Sequence, residues 1–184
     1  PDCVFNMAGH VTGARALEHV RPALEGNFLT AVNLMTVAAE TGCGRVVLAG
    51  SLEAPDEKGV PAAVCVPSSP YAASKYAASC HARMFHALYG LPVVTARIFM
   101  TYGPGRQDVR KLVPYTILSL LAGRTPELGS GTRPMDWIYV DDLVEGLIRL
   151  SQASGIEGRT IDLGSGEFHT ARQAVELIAE LLDI

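Results

Sequence analysis

Cys3, Cys43, Cys65 and Cys80 never fall into Cys-x-x-Cys spacing and have no cluster of His, Asp or Glu beside them. Metal centres and disulfide frameworks both need such grouping, so free thiols in a reducing compartment are expected and no metal. Also missing is any apolar run near the ~20 residues of a membrane span. The opening PDCVFNMAGH carries no basic stretch of the kind that begins a signal peptide. A cytoplasmic chain with no membrane partner is the expectation. Basic residues are few and scattered, fifteen against nineteen acidic ones, for a formal charge of −4. A nucleic-acid footprint needs the opposite, a clustered excess of Lys and Arg, so neither DNA nor RNA is expected as partner.

What is present suffices for a core. The chain has 184 residues, 48 % of them hydrophobic, and needs no staple. CVFNMAG reads as a short strand. A helical pattern follows from about Pro22 to Thr41, with Leu24, Phe28, Val32, Met35 and Ala39 on one stripe. Gly42 and Gly44 stop it. RVVLAGS is a continuous β-branched run of the kind buried on both faces of a parallel sheet. LEAPDEKGVPAAVCVPSSP is a surface loop, after which Ser69 as N-cap and Pro70 as first residue open a helix that runs to Tyr89 and stops at Gly90. PVVTARIF is a third strand. This alternation predicts an α/β fold, a doubly wound parallel sheet.

From Arg106 the rhythm changes: a helix from about Val109 to Ala122, a turn-rich tract, a strand WIYV, and a helix from Asp141 or Asp142 to Gln152. TIDLGSG and a last helix from Thr170, with Ala174, Leu177, Ile178 and Leu181 inward, complete a smaller lobe. The boundary is expected at 105/106, with 160–164 returning to the main sheet.

Ligands of parallel α/β folds bind at the carboxyl ends of the strands, and Ser51 ends one. Tyr71 and Lys75 in SPYAASKYAAS stand one helical turn apart, on the same side. A free tyrosine ionises near pH 10, and a cation within ~4–6 Å lowers such a value by roughly 1–3 units. Lys75 is therefore expected to bring Tyr71 toward the working range of an acid/base, with Ser51 orienting the same substrate oxygen. Such a trio suits proton transfer coupled to hydride transfer at a carbinol or ketone carbon.

Read in series, these segments resemble the extended short-chain dehydrogenase/reductase family, the NAD-dependent sugar epimerases and dehydratases. VFNMAGH, NFLTAVNLMTVAAETG, RVVLAGS, SPYAASK, RIFMTYGPG, MDWIYVDDLVEGL and IDLGSGE follow one another in the family's order across essentially the whole chain. The resemblance implies a Rossmann-like sheet with a substrate lobe, an NAD or NADP cofactor, a nucleotide-sugar substrate and a homodimer built on the helices beginning near Pro22 and Pro70. It implies Tyr71 as acid/base, aided by a positively charged nicotinamide ring, Lys75 on the nicotinamide ribose and Ser51 on the substrate. Ala8, Gly9, Asn27 and Ile98 are implied as further cofactor positions. The activity implied is epimerisation or ketone reduction; a non-catalytic scaffold or sensor of the same fold is the alternative.

Departures from the family pattern are specific. No Gly-x-x-Gly-x-x-Gly loop is found, so about sixty residues, two βαβ units of ~30, are expected ahead of Pro1. Dehydratases follow the Ser51 position with Asp-Glu, whereas Leu52 and Glu53 stand here, which disfavours 4,6-dehydration. Glu53 is either an acid with a role at the substrate or a loop carboxylate. Met100 replaces an asparagine that would donate to a substrate phosphate. Met135 fills the usual place of the diphosphate-binding arginine, with Arg133 two residues earlier. Lys111 and Arg124 are phosphate contacts or solvated charges. Asp141 and Asp142 suit a helix start, His10 either lines the crevice or is solvated, and Trp137 and Tyr102 either stack on a ligand or fill the core.

Overall fold

The computed structural model describes residues 1–55, 66–105, 107–129 and 131–184. Most of the loop expected between RVVLAGS and Ser69, with Cys65, lies outside the described residues, as do Arg106 and Ser130. The contacts divide the chain into two units, Pro1–Ile98 with Glu145–Leu163, and Phe99–Val144 with Gly164–Ile184. The break thus falls after Ile98, seven residues before the position read from the sequence.

In the first unit the elements run β1 (Val4–Asn6), α1 (Val20–Ala23), α2 (Thr30–Glu40), β2 (Val46–Ala49), α3 (Pro70–Tyr89) and β3 (Val93–Ile98). The second unit opens with β4 (Met100–Tyr102), α4 (Leu112–Leu121) and β5 (Pro134–Tyr139). Helix α5 (Val140–Gln152) belongs to the first unit from Glu145 on, as does β6 (Thr160–Leu163). β7 (Phe168–Thr170) and α6 (Ala171–Leu181) complete the second.

The first unit is a four-stranded, all-parallel sheet in the order β1-β2-β3-β6, with Val46 opposite Val93 and Ala96 opposite Ile161. Successive side chains on a strand point to opposite faces. Val46 and Leu48 accordingly join Met35 of α2 and Ala78, Ala82 and Phe85 of α3 on one face. Val47, Val94 and Ala96 join Leu150 of α5 on the other. With helices on both faces the central strands β2 and β3 are largely buried, which is why they read as unbroken apolar runs. This is a Rossmann-like α/β sheet, as expected.

Of the stripe expected on the first helix, Met35 is buried and Phe28 and Ala39 pack partly buried against the core, while the other deepest positions lie one residue earlier than expected. The buried positions are Ala23, Asn27, Ala31, Met35 and Ala38, while Leu24 is 45 % exposed. Three steps of four residues exceed the 3.6 of an α-helix. The chain accommodates them with a π-turn at Leu24–Leu29 set between α1 and α2, with a 3-10 turn at Leu17–His19 ahead of α1. Small side chains on this face let the helix lie close against alanine-rich α3. Helix α3 follows its local signals throughout: Ser69 Oγ accepts from Ala72 N at 3.1 Å, Pro70 begins it, and Gly90 ends it at φ 68°, a left-handed position that suits glycine.

In the second unit β5 pairs parallel with β4 and antiparallel with β7. Asp136, buried in β5, accepts from Ser165 N (2.7 Å), Ser165 Oγ (2.9 Å) and Gly166 N (2.9 Å) and so pins the turn before β7. Thr170 and Gln173 form a reciprocal capping box at the head of α6. The inward face expected for α6 is only partly covered: Leu177 is 55 % and Leu181 75 % exposed, and no residue of the helix is buried. Together with Ala174 and Ile178 they border a groove of about 400 Å³ that Tyr102 and Trp137 also line. One helix and a three-stranded patch offer too little apolar surface within this unit to cover them. Asp141 and Asp142 occupy the first turn of α5, exposed, where carboxylates favour the helix dipole.

Cys43 is buried and free, and Cys3 and Cys80 are half-buried and free. Among the described residues no helix is long and apolar enough to cross a membrane. Met35 has no exposed surface and joins α2 to both β2 and α3. Met35→Ala removes that packing and is expected to lower stability by about 2–5 kcal/mol, read from the midpoint of urea unfolding at unchanged slope.

Candidate active site

Past Ala49 the chain keeps pairing with β3: Gly50 N donates to Ala96 O at 2.7 Å and Leu52 N to Ile98 O at 3.0 Å. Ser51 sits between these two bonds, buried at the carboxyl end of the sheet. Helix α3 begins close by, and its first turn brings the buried Tyr71 near the Ser51 side chain. Lys75, one turn further and also buried, donates from Nζ to Ala49 O at 2.8 Å, which ties the helix to the end of β2. Its Nζ lies 5.9 Å from the centre of the Tyr71 ring.

On the other side stands the segment after β1. Asn27, buried in the π-turn, clasps the backbone of His10 in both directions, accepting from His10 N at 2.8 Å and donating to His10 O at 3.0 Å. The same amide donates to Ser74 Oγ at 2.9 Å, and Ser74 Oγ donates to Tyr71 O at 2.8 Å. A side chain at position 9 would meet Asn27 Oδ1 at 2.6 Å and Lys75 Nζ at 3.5 Å, so the clasp requires Gly9. One asparagine therefore joins the end of β1 to the helix that carries Tyr71. Ala8 and Gly9 are exposed on this segment, and His10 Nε2 is enclosed without a hydrogen-bond partner among the described residues.

The electrostatics depart from the simple expectation. Burial, the largest effect, pushes the Tyr71 hydroxyl above its ordinary range, the nearby Ser51 hydroxyl pulls the other way, and the Glu53 carboxylate pushes it up again. Burial also lowers the Lys75 ammonium below its usual value. A cation–π contact at this distance contributes about 0.5–2 kcal/mol. With only that and one carbonyl contact, desolvation of the ammonium prevails. The chain by itself thus favours a phenol at Tyr71; the lowered value was expected from Lys75 together with a positively charged nicotinamide ring.

Six predicted residues, Ser51, Tyr71, Lys75, Asn27, Gly9 and Glu53, come together in the first unit, and Ile98 ends β3 beside Leu52. Met100 in β4, Lys111 as N-cap of α4 and the exposed Arg133 just before β5 belong to the second unit. Arg124 borders a cavity of about 680 Å³ there, with Arg110 and Tyr115. A separate recess of about 520 Å³ reaches Ser51 but is walled by Tyr76 and Ser79 of α3 and by Arg97 and Asp162; Tyr71 and Lys75 occupy the neighbouring face of the helix. Missed from sequence were Ser74, which only the clasp reveals, and Asp136. The inward place of Asp136, two residues from buried Ile138 on a strand, was the available signal.

The profile of the NAD dependent epimerase/dehydratase family matches residues 1–164. A dTDP-glucose 4,6-dehydratase of Xanthomonas campestris pv. campestris is 40 % identical over 118 residues, 64 % of this chain and 33 % of that protein. A UDP-glucuronate 4-epimerase of Thermodesulfobacterium geofontis is 28 % identical across 97 % of this chain and 56 % of its own length. Among solved structures, MoeE5 in complex with UDP-glucose and NAD superimposes with a TM-score of 0.85 at 28 % identity, over 99 % of this chain and 62 % of that one. The dTDP-glucose 4,6-dehydratase DesIV of Streptomyces venezuelae, with NAD and TYD bound, gives 0.81 at 30 %, over 99 % and 57 %. The chain spans between a third and three fifths of the length of these relatives. With nine tenths of its residues inside the matched region, the chain belongs to the NAD dependent epimerase/dehydratase family.

Proposed function

We propose that the protein containing this chain is an NAD(P)-dependent epimerase or ketoreductase of nucleotide-activated sugars, with Tyr71 as its acid/base. The observation that carries the reading is the burial of Ser51, Tyr71 and Lys75 together at a strand end, with Lys75 Nζ bound to Ala49 O and 5.9 Å from the centre of the Tyr71 ring. The donor set fits a nicotinamide coenzyme: an ammonium has three N–H donors, of which Ala49 O takes one, and the remaining donors suit ribose hydroxyls. Gly9 and Ala8 leave the end of β1 without bulk, and Ile98 offers an apolar neighbour. When bound, the coenzyme supplies a carrier for hydride. Lys75 would hold and orient it, with Asn27 keeping the β1 end in place.

The rest is done by hydroxyls. Ser51 hydrogen-bonds the reacting oxygen of the sugar and fixes its direction. Tyr71 takes the proton from that oxygen when a carbinol becomes a ketone and returns it when the ketone is reduced. An epimerase uses both halves, with the keto sugar turning over between them, and a ketoreductase only the second. In this reading the first unit is the coenzyme lobe and the second the substrate lobe, where Lys111 and Arg133 meet phosphate and Met100 meets the sugar. Helices α2 and α3 pair with those of a second copy to make a dimer.

A second reading is 4,6-dehydration, favoured by the 40 % identity to a protein of that name. Against it stands Leu52, which brings no acid to expel water. Product analysis by NMR separates the readings: a C4 epimer or a reduced sugar supports the first, and a 4-keto-6-deoxy sugar the second.

For the full-length protein, Tyr71→Phe is expected to lower turnover by about 10²–10⁴-fold, the usual contribution of a general acid/base, with coenzyme binding retained. Unchanged turnover would remove Tyr71 as acid/base, and a full-length wild type that binds coenzyme without turnover would instead fit a scaffold. Sedimentation should return twice the mass of the full chain; a single-copy mass removes the dimer.

A further inference from the structure

Glu53 contacts the site at two points. Its backbone N–H donates to Ser51 Oγ at 3.2 Å, and its carboxylate accepts from Ser69 Oγ at 3.4 Å. Ser69 is the N-cap of α3, accepting from Ala72 N with that same hydroxyl, and Tyr71 is the second residue of the helix. The carboxylate therefore stands at the positive end of a 20-residue helix, beside the phenol that the helix presents. A helix N-terminus favours anions, a phenolate at Tyr71 included. A carboxylate held there opposes that field and repels the same phenolate. The ionisable groups around this crevice are Glu53 from the segment after β2, Lys75 from α3 itself and His10 from the segment after β1. Lys75 is turned to the Ala49 carbonyl, and the His10 backbone is held by Asn27.

We propose that Glu53 is a positioning residue of the Ser51–Tyr71 pair, which it sets as a proton donor by placing a fixed negative charge against the head of α3 through Ser69. The inference rests on the reading of Tyr71 as acid/base and sharpens it. A tyrosine kept as a phenol is ready to give its O–H proton to the oxygen of a keto sugar, becoming phenolate as the new O–H bond forms. Removal of a proton from a carbinol then needs a higher pH. The direction in which Glu53 moves the Tyr71 hydroxyl, upward, agrees with this.

The test is a tyrosinate absorbance titration of the full-length protein, with the Tyr71→Phe variant subtracted to isolate Tyr71. Glu53→Gln retains shape and the acceptor for Ser69 but loses the charge. The Tyr71 midpoint is expected at lower pH in Glu53→Gln, whereas Glu53→Asp, which keeps the charge, stays nearer wild type. Because Glu53 is exposed, the gap between wild type and Glu53→Gln should shrink as salt is raised. The pH profile of kcat reads the same shift if the protein unfolds before Tyr71 titrates: the acid limb of carbinol oxidation moves down in Glu53→Gln. Equal midpoints and profiles in wild type and Glu53→Gln, or an equal shift in Glu53→Asp, overturn the proposal. The absorbance measurement needs no turnover, so a catalytically silent protein would end the functional reading without touching this result.

Discussion

The Lys75 ammonium, buried and bound to the carbonyl of Ala49, is the contact on which the candidate site depends. A buried cation is unfavourable unless its surroundings answer it, and the effective penalty for an ion in a protein is several kcal/mol. Such a group marks a place where the fold accepts a cost. Here it fixes α3 against the end of β2, and with it the separation of Tyr71 and Ser51, the two residues that the proposed reaction brings to one substrate oxygen. Lys75 therefore acts first as a structural tie. Its effect on the tyrosine through space is small by comparison, since burial of both groups outweighs it.

Around that tie the site is assembled from neutral hydrogen bonds. Asn27 satisfies the His10 N–H and C=O with one side chain and reaches Ser74 with its remaining donor, so a single amide fills most of its bonding capacity. Its placement needs the π-turn, because in a regular α-helix the small buried stripe would drift away from α3. The irregular winding of the first helix and the geometry of the crevice are thus one feature seen from two sides.

Legibility from sequence follows the range of the interactions. Ser69, Pro70, Gly90 and Thr170 act on residues within a few positions of themselves, and the elements they bound stand where they were read. The parallel strands were legible from their apolar runs, as was the return of β6 to the main sheet. The π-turn was not, since its cause is the close approach of alanine-rich α3, a helix some forty residues on. The partly bare face of α6 and the buried Asp136 depend likewise on what lies across the second unit. In the chain by itself the Tyr71 hydroxyl is raised, a direction not legible beforehand because a one-turn spacing reveals a neighbour but not the loss of water around both.

The most direct test is the crystal structure of the full-length protein with a nicotinamide coenzyme and a nucleotide sugar bound. The account places Tyr71 Oη and Ser51 Oγ both within about 2.6–3.2 Å of one hydroxyl oxygen on the sugar ring, the reach of a hydrogen bond that passes a proton. A sugar ring seated with that oxygen beyond reach of Tyr71, and no water bridging the two, would contradict it.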